Sequence, residues 1–377
     1  MSSSHWMHGF GGEPKETAAK LKALNFDTVV AGGDDVIRAV ADEGMSSWLY
    51  DTAFRLGAFD DDDHKAWDIN GKPCVWYGSG CPTDPDIRAA NLETFANMAK
   101  TAGISGVLLG GCHWASPADG LDTFLTCFNP KTEKRAKELG YDFDRIRRDV
   151  KALHDVLYAI RDNPPTNRGL GWISQPIGIA EWLAHHPGIT AWMSLRRVTS
   201  TEYSRDISRI LKGAGLEMGV YIFTPSFAPL VGQSYVDLSE FVDVFAPMLY
   251  RNYPVDPGSA CINWELTKIP RDMGIEGTDR EKDVMTAVLA IAGLSGIVSD
   301  RKIADINNAV PPAVVGHETR MARELIGEKS KLIPIIHMND PVMEETADLV
   351  KGNGADGVSF FRFMDGWENL VKPTITA

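Results

Sequence analysis

The sequence predicts an α/β fold, a (β/α)8 TIM barrel with long helical insertions after strands four and six. Three observations point there. Eight short apolar runs alternate with helical stretches, the pattern of parallel strands joined by crossover helices. The run Gly106–Leu109 (G-V-L-L) is bounded by glycines and apolar throughout, the mark of a strand buried on both faces. It opens into Cys112, His113 and Trp114, with Asp119 and Asp122 in the Pro/Gly-broken loop beyond. An open dinucleotide-binding sheet is disfavoured, because His8-Gly9-Phe10-Gly11-Gly12 lacks G-x-G-x-x-G spacing, and no G-x-x-x-x-G-K-[ST] loop occurs.

The elements follow in order. His5 to His8 reads as strand one, and Pro14 opens a helix to about Leu24. Phe26 to Ala31 is strand two, after which Asp34 and Asp35 cap a helix to about Ala41. Ser46 to Tyr50 is strand three and ends on Asp51. A long loop leads to a helix at about Ile87 to Thr101, then to strand four. The segment 112–216 reads as an insertion, with helices near Thr132–Leu139 and Phe143–Ile160, a broken stretch from Asn163 to Pro176, and more helix before Leu211. Ile189 to Leu195 is assigned to that helical return, because its apolar and basic residues do not alternate. Glu217–Phe223 and Val242–Met248 are strands five and six. A second insertion, 253–329, carries a helix at about Arg280 to Ala292. Leu332–His337 and Gly357–Phe361 are strands seven and eight, with a helix from Pro341 to Lys351 between them. One domain spanning 1–377 is expected, with both insertions roofing one end.

Composition narrows the function. With 38 Lys and Arg against 51 Asp and Glu, the formal charge is -13, which argues against a nucleic-acid partner. No apolar run reaches membrane-spanning length, and no signal peptide is visible at Met1–Trp6. Five cysteines without a C-x-x-C spacing read as free thiols of a reducing, cytoplasmic compartment, with a Cys74–Cys81 disulfide as the alternative.

In a barrel the site lies at the carboxyl ends of the strands. Cleaving an acetal there needs one acid and one base or nucleophile. Asp51, Asp119 and Asp122 are the candidate catalytic carboxylates, and Asp51 leads because it follows an apolar strand directly. If Asp51 points in, Tyr50 must point away. Asp340, Asp365 and Glu265 stand behind them. His5, His8, His113, Trp114, Tyr250, Arg251, His337 and Arg362 are candidate substrate-binding residues. His5 and His8, three apart on one strand, face opposite ways. No H-x-H or H-E-x-x-H spacing occurs, so neither a metal nor a cofactor is expected. Ten tryptophans, among them Trp67, Trp76, Trp114 and Trp264 in loops, either pack over the barrel or offer stacking faces to a sugar.

Several motifs resemble a group of bacterial TIM-barrel glycoside hydrolases. They are W-A-S-P at Trp114–Pro117, T-C-F at Thr126–Phe128, E-L-G-Y-D-F-D-R-I-R-R-D-V at Glu138–Val150, L-V-G-Q-S-Y at Leu230–Tyr235 and V-D-V-F-A-P-M-L-Y at Val242–Tyr250. The resemblance implies a carbohydrate-active enzyme with a small carbohydrate substrate. That group carries Asp and Arg at the end of strand four, where this chain has Gly110-Gly111 and His113, so the working carboxylate would come from Asp51, Asp119 or Asp122. Two other classes remain open: a metal- or acid/base-dependent lyase or isomerase on sugar-derived substrates, and a non-catalytic sugar-binding barrel.

Overall fold

A computed structural model describes residues 3–162, 176–252, 260–308 and 310–376. Nine strand segments form the main sheet: β1 (Ser4–His8), β2 (Thr28–Val30), β3 (Ser46–Thr52), β4 (Gly106–Gly110), β5 (Glu217–Ile222), β6 (Val244–Pro247), β7 (Lys331–Leu332), β8 (Ile335–His337) and β9 (Gly357–Phe361). Their order is β8-β9-β1-β2-β3-β4-β5-β6-β7, and every neighbouring pair is parallel.

The two ends of that order are one stretch of chain. β7 pairs with β6 and β8 pairs with β9. Only Ile333 and Pro334 separate them. Pro334 has no N–H to give a ladder, so the strand expected over Leu332–His337 divides there. Met248 bridges Ile335 in parallel, which carries the pairing past the break. The result is a curled, parallel α/β sheet with helices around it.

Three helices begin with the same device, a capping side chain followed by proline. Glu13, Asp84 and Asn129 accept from the backbone N–H groups of Glu16, Asp86 and Lys131, and Pro14, Pro85 and Pro130 take the first turn, where a missing N–H costs nothing. Asp34 and Asp35 differ from expectation. Gly33 is the cap of their helix, and the two aspartates occupy its first turn, where negative charge suits the helix dipole.

Between β4 and β5 lie the helices Leu121–Phe124, Pro130–Glu138, Phe143–Asp162, Pro176–His185 and Pro187–Gly213. The last contains Ile189–Leu195 as expected. Residues 163–175 of the anticipated broken stretch lie outside the described residues. Between β6 and β7, residues 253–259 likewise lie outside; the helices Ile262–Asp272, Glu281–Ile291, Ile303–Asn308 and Ala313–Ile326 follow. A short antiparallel ribbon, Ala66–Trp67 with Pro73–Cys74, decorates the loop after β3.

Strand β4 sets the inner packing. Val107 and Leu109 join the layer between sheet and helices, whereas Leu108 joins an inner cluster with Trp6, Trp48 and Tyr221. Gly106 and Gly110 share the inward side with Leu108. A Cβ on Gly106 would lie 2.7 Å from the Trp48 ring, and one on Gly110 would lie 2.4 Å from the Tyr50 ring. The glycines that mark this strand in the sequence are therefore the space two large rings occupy.

Candidate active site

The carboxyl ends of the strands converge on a group of rings. His8 ends β1, and its centroid lies 5.3 Å from Tyr50, 5.4 Å from Tyr221 and 5.2 Å from Phe361. Tyr50 and Tyr221 are 5.3 Å apart. Tyr250 lies 5.2 Å from Phe361 and 6.1 Å from His337. Two polar links cross the group. His8 Nδ1 lies 2.5 Å from the Tyr221 hydroxyl, and the hydroxyls of Tyr50 and Tyr77 meet at 3.2 Å. Tyr77 is 62% exposed and joins the group to solvent. Burial draws the His8 imidazole down to about 4, so it is neutral near pH 7. His337 is also lowered, by burial first and then by the charge of the exposed Arg362, opposed by Asp340.

Both inter-strand excursions reach over these rings. Ala118 from the first, and Cys261 and Trp264 from the second, pack in the same inner cluster as Tyr221 and Tyr250. Ile262 N donates to the Tyr250 carbonyl, anchoring the start of the Ile262–Asp272 helix. One turn into that helix stands Glu265, 3% exposed. Its Oε1 accepts from Ser116 Oγ at 2.9 Å and from Ala260 N at 2.8 Å, and its Oε2 accepts from Ala118 N at 3.1 Å. Asp119 Oδ2 accepts from Ser116 N at 2.7 Å. One serine thus holds two carboxyl groups, one from each half of the roof. Burial, then the charge of Asp119, raise the Glu265 carboxyl to about 8, against the opposing bonds from Ala260, Ser116 and Ala118. Glu265 is a carboxylic acid at neutral pH.

The other predicted residues have different surroundings. Asp51 turns outward. It is in register with Leu109, whose side chain joins the outer layer, whereas Tyr50 is in register with the inward Leu108. Its carboxylate meets Arg55 at 2.5 Å and Thr52 N at 2.8 Å. Strand alternation therefore reverses the expected orientation: Tyr50 points in and Asp51 out. Asp122 is half exposed and bonds His154 and Tyr158 at 3.2 and 3.0 Å. His5 lies on the opposite face of β1 from His8, with Nδ1 3.3 Å from the Asn25 carbonyl and its ring against Phe26. His113 is buried, its Nδ1 2.8 Å from the Trp114 carbonyl and its ring against Phe223.

Trp114 is 1% exposed and gives its indole N–H to the Arg196 carbonyl. The Arg196 guanidinium lies over the Trp114 and Trp192 rings and donates to the carbonyls of Phe124, Thr126 and Leu230, so these residues knit the roof from within. The Arg251 guanidinium is taken by Asp340, at 2.7 and 2.6 Å, and by the Val310 carbonyl. Trp67 and Trp76 give their indole N–H groups to the carbonyls of Asp62 and His113, and Trp264 packs against Arg271. The tryptophans are thus packing residues. Arg251 is an internal tie rather than a substrate contact.

Among the described residues, His64, Asp84 and Asp86 bring one potential metal-ligating atom each within 4.8 Å of one another. Asp84 there is already committed to its helix cap and to Lys131. The burial of Glu265 has no clear mark in the sequence, and the inward face of Tyr50 is the reverse of the expectation. The signal for Tyr50 is Trp48 two residues earlier on the same strand face, with Gly106 opposite Trp48 and Gly110 leaving room for the Tyr50 ring.

No protein-family profile matches the chain, and no curated protein matches it. Solved structures do. The glycoside hydrolase domain of PgaB (BpsB) from Bordetella bronchiseptica aligns over 100% of this chain and 99% of its own, at 12% identity and a TM-score of 0.55. The catalytic domain of beta-amylase from Paenibacillus polymyxa aligns over 99% and 97%, at 12% identity and a TM-score of 0.52. Beta-galactosidase from Bacillus circulans sp. alkalophilus aligns over 96% of this chain and 50% of its own, at 10% identity and a TM-score of 0.55. The resemblance drawn from the sequence motifs recurs here as a likeness of fold to glycoside hydrolases.

Proposed function

We propose that the chain is a carbohydrate-active enzyme, a glycoside hydrolase on a single (β/α)8 barrel, with Glu265 as general acid and Asp119 as the second carboxyl group. The observation that carries this reading is the pair of carboxyl groups held by Ser116 above the ring-lined strand ends. A glycosidase needs one carboxyl group that keeps its proton at neutral pH and another that has lost it. Burial and the neighbouring Asp119 raise the Glu265 carboxyl to about 8, which supports the acid role. The sugar would lie between roof and rings, its C–H faces on Tyr50, Tyr221 and Tyr250 and its hydroxyls toward His8, His337 and the exposed Arg362.

In this reading the Glu265 proton passes to the glycosidic oxygen as the C–O bond breaks. As it does, the Asp119 carboxylate either attacks the anomeric carbon, forming a glycosyl ester that water then cleaves, or takes a proton from the water that attacks that carbon. The residues that tie the roof, Arg196 and the Arg251–Asp340 pair, keep the two excursions in place over the strand ends. The test is a panel of p-nitrophenyl glycosides, followed by Glu265→Gln and Asp119→Asn on the sugar that turns over. Asp119→Asn should lose kcat by roughly 10²–10⁴-fold on it, and Glu265→Gln by a similar factor on a glycoside of the same sugar with a more basic leaving group, while both remain folded. A wild-type protein that binds sugars and cleaves none of them would instead be a sugar-binding barrel.

A further inference from the structure

The loops after β3 and β4 bring two cysteines together that are 46 residues apart in sequence. Cys81 Sγ lies 3.7 Å from Cys127 Sγ, and the two residues are 0% and 1% exposed. Their backbones are fixed on both sides. Cys81 N donates to the His64 carbonyl, Phe128 N donates to the Trp67 carbonyl, and Trp67 N points at Cys127 Sγ at 3.3 Å. Around the sulfurs are Trp76, Trp114, Ala66 and Ala115. The Oγ atoms of Thr83 and Thr132 lie 3.1 and 3.4 Å from Cys81 Sγ.

The remaining thiols make other contacts, Cys74 at the edge of the same cluster. Cys74 Sγ faces the Ala66 carbonyl, Cys112 faces Ser200 and Ser204, and Cys261 packs beside Tyr250. All five cysteines are free thiols, as the leading sequence reading expects; the Cys74–Cys81 disulfide is not formed, and Cys127 supplies a sulfur 3.7 Å from Cys81.

We infer that Cys81 and Cys127 are a redox pair that closes to a disulfide, locking the loop after β3 to the roof strand of chain after β4. The oxidant is hydrogen peroxide, small enough for a buried site. The Cys81 thiolate attacks one peroxide oxygen and the O–O bond breaks; the released hydroxide takes up the thiol proton to give water and leaves a sulfenic acid on Cys81. The Cys127 thiolate then attacks the Cys81 sulfur and the S–O bond breaks; this hydroxide takes the Cys127 proton as a second water. Two thiols lose two electrons, and one peroxide becomes two waters. Cys81 is the sulfur placed to react first. Burial opposes charge on it, but bonds with Cys127, Thr132 and Thr83 outweigh burial and bring its thiol down to about 7. Cys127 is held well above the ordinary thiol range by burial and by its neighbour.

The lock bears on the site beneath it. Tyr77, whose hydroxyl meets Tyr50, belongs to the loop that carries Cys81. The Thr126 carbonyl, beside Cys127, receives Trp192 and Arg196.

The test treats the whole protein with peroxide, alkylates remaining thiols under denaturing conditions and maps cross-links without reduction. Chymotrypsin cuts after Trp76 or Tyr77 and so separates Cys74 from Cys81. A Cys81–Cys127 cross-link is expected, with Cys74, Cys112 and Cys261 alkylated. In Cys127→Ser the sulfenic acid on Cys81 should persist and be trapped by dimedone. Should that variant fail to fold, the wild-type cross-link map decides alone. Five alkylated cysteines after oxidation, or a cross-link that includes Cys74, would overturn the proposal.

Discussion

Asp51 and Glu265 are both carboxyl groups near the carboxyl ends of the strands, and their surroundings are opposite. Asp51 follows an apolar strand, yet it faces outward and pairs with an arginine that is 56% exposed. Glu265 comes from a helix in a long excursion, yet it is buried, keeps its proton at neutral pH and shares a serine with Asp119. A strand fixes which residue comes last, but the face that residue takes follows from its packed neighbours. A helix laid over the strand ends can deliver a group that sequence proximity would never suggest.

The largest expected effect breaks the comparison open. Glu265→Gln should lower kcat by roughly 10²–10⁴-fold, whereas Asp51→Asn should leave it within a few-fold. In the wild type, kcat should fall as pH rises through about 8, where the acid loses its proton. Stability carries the same signature. Below the ordinary value of 4.5 the group is protonated whether folded or not; between 4.5 and about 8 only the unfolded chain ionises. The wild type should therefore lose stability across that window relative to Glu265→Gln, and level off above it. Thermal melts at pH 5, 7 and 9 measure it.

A second contrast concerns ion pairs. Both members of Arg251–Asp340 have side chains 7% exposed, so Arg251→Ala strands a buried carboxylate and should cost about 3–5 kcal/mol in urea unfolding. Arg55→Ala, at the exposed pair with Asp51, should cost about 0–1 kcal/mol. Between these lies Gly110→Ala. Its new methyl group meets the Tyr50 ring, and about 1–3 kcal/mol is expected, with a change in tyrosine fluorescence or KM as the ring shifts.

The strands were legible because a buried parallel strand writes itself as a short apolar run, and Gly106–Gly110, Glu217–Ile222 and Gly357–Phe361 all do so. The Ile189–Leu195 segment was legible as helix because it lacks alternation. The helices Ile262–Asp272 and Ala313–Ile326 were missed. Each buries polar side chains, Asn263, Glu265 and Thr267 in one and Glu318 and Thr319 in the other, which blurs the apolar stripe. The candidate site was legible only in part. His8, Tyr250 and His337 follow from being inward at strand ends. Glu265 does not, because its burial depends on two excursions that meet through Ser116, a tertiary contact between residues 149 apart. Trp114 and Arg251 look available for a ligand in the sequence because the chain does not reveal that Arg196 and Asp340 already engage them.

The most direct measurement of the central claim is the dependence of Glu265→Gln on the leaving group. Once a cleavable sugar is known, wild type and variant are compared on a series of aryl glycosides of falling phenol basicity. A group that donates a proton matters most when the leaving oxygen is basic and least when it departs unaided. Glu265→Gln should be severely slowed on the most basic leaving groups and approach wild-type rates on dinitrophenyl glycosides. An equal loss across the whole series would contradict the claim, and would make Glu265 a structural tie between the two halves of the roof.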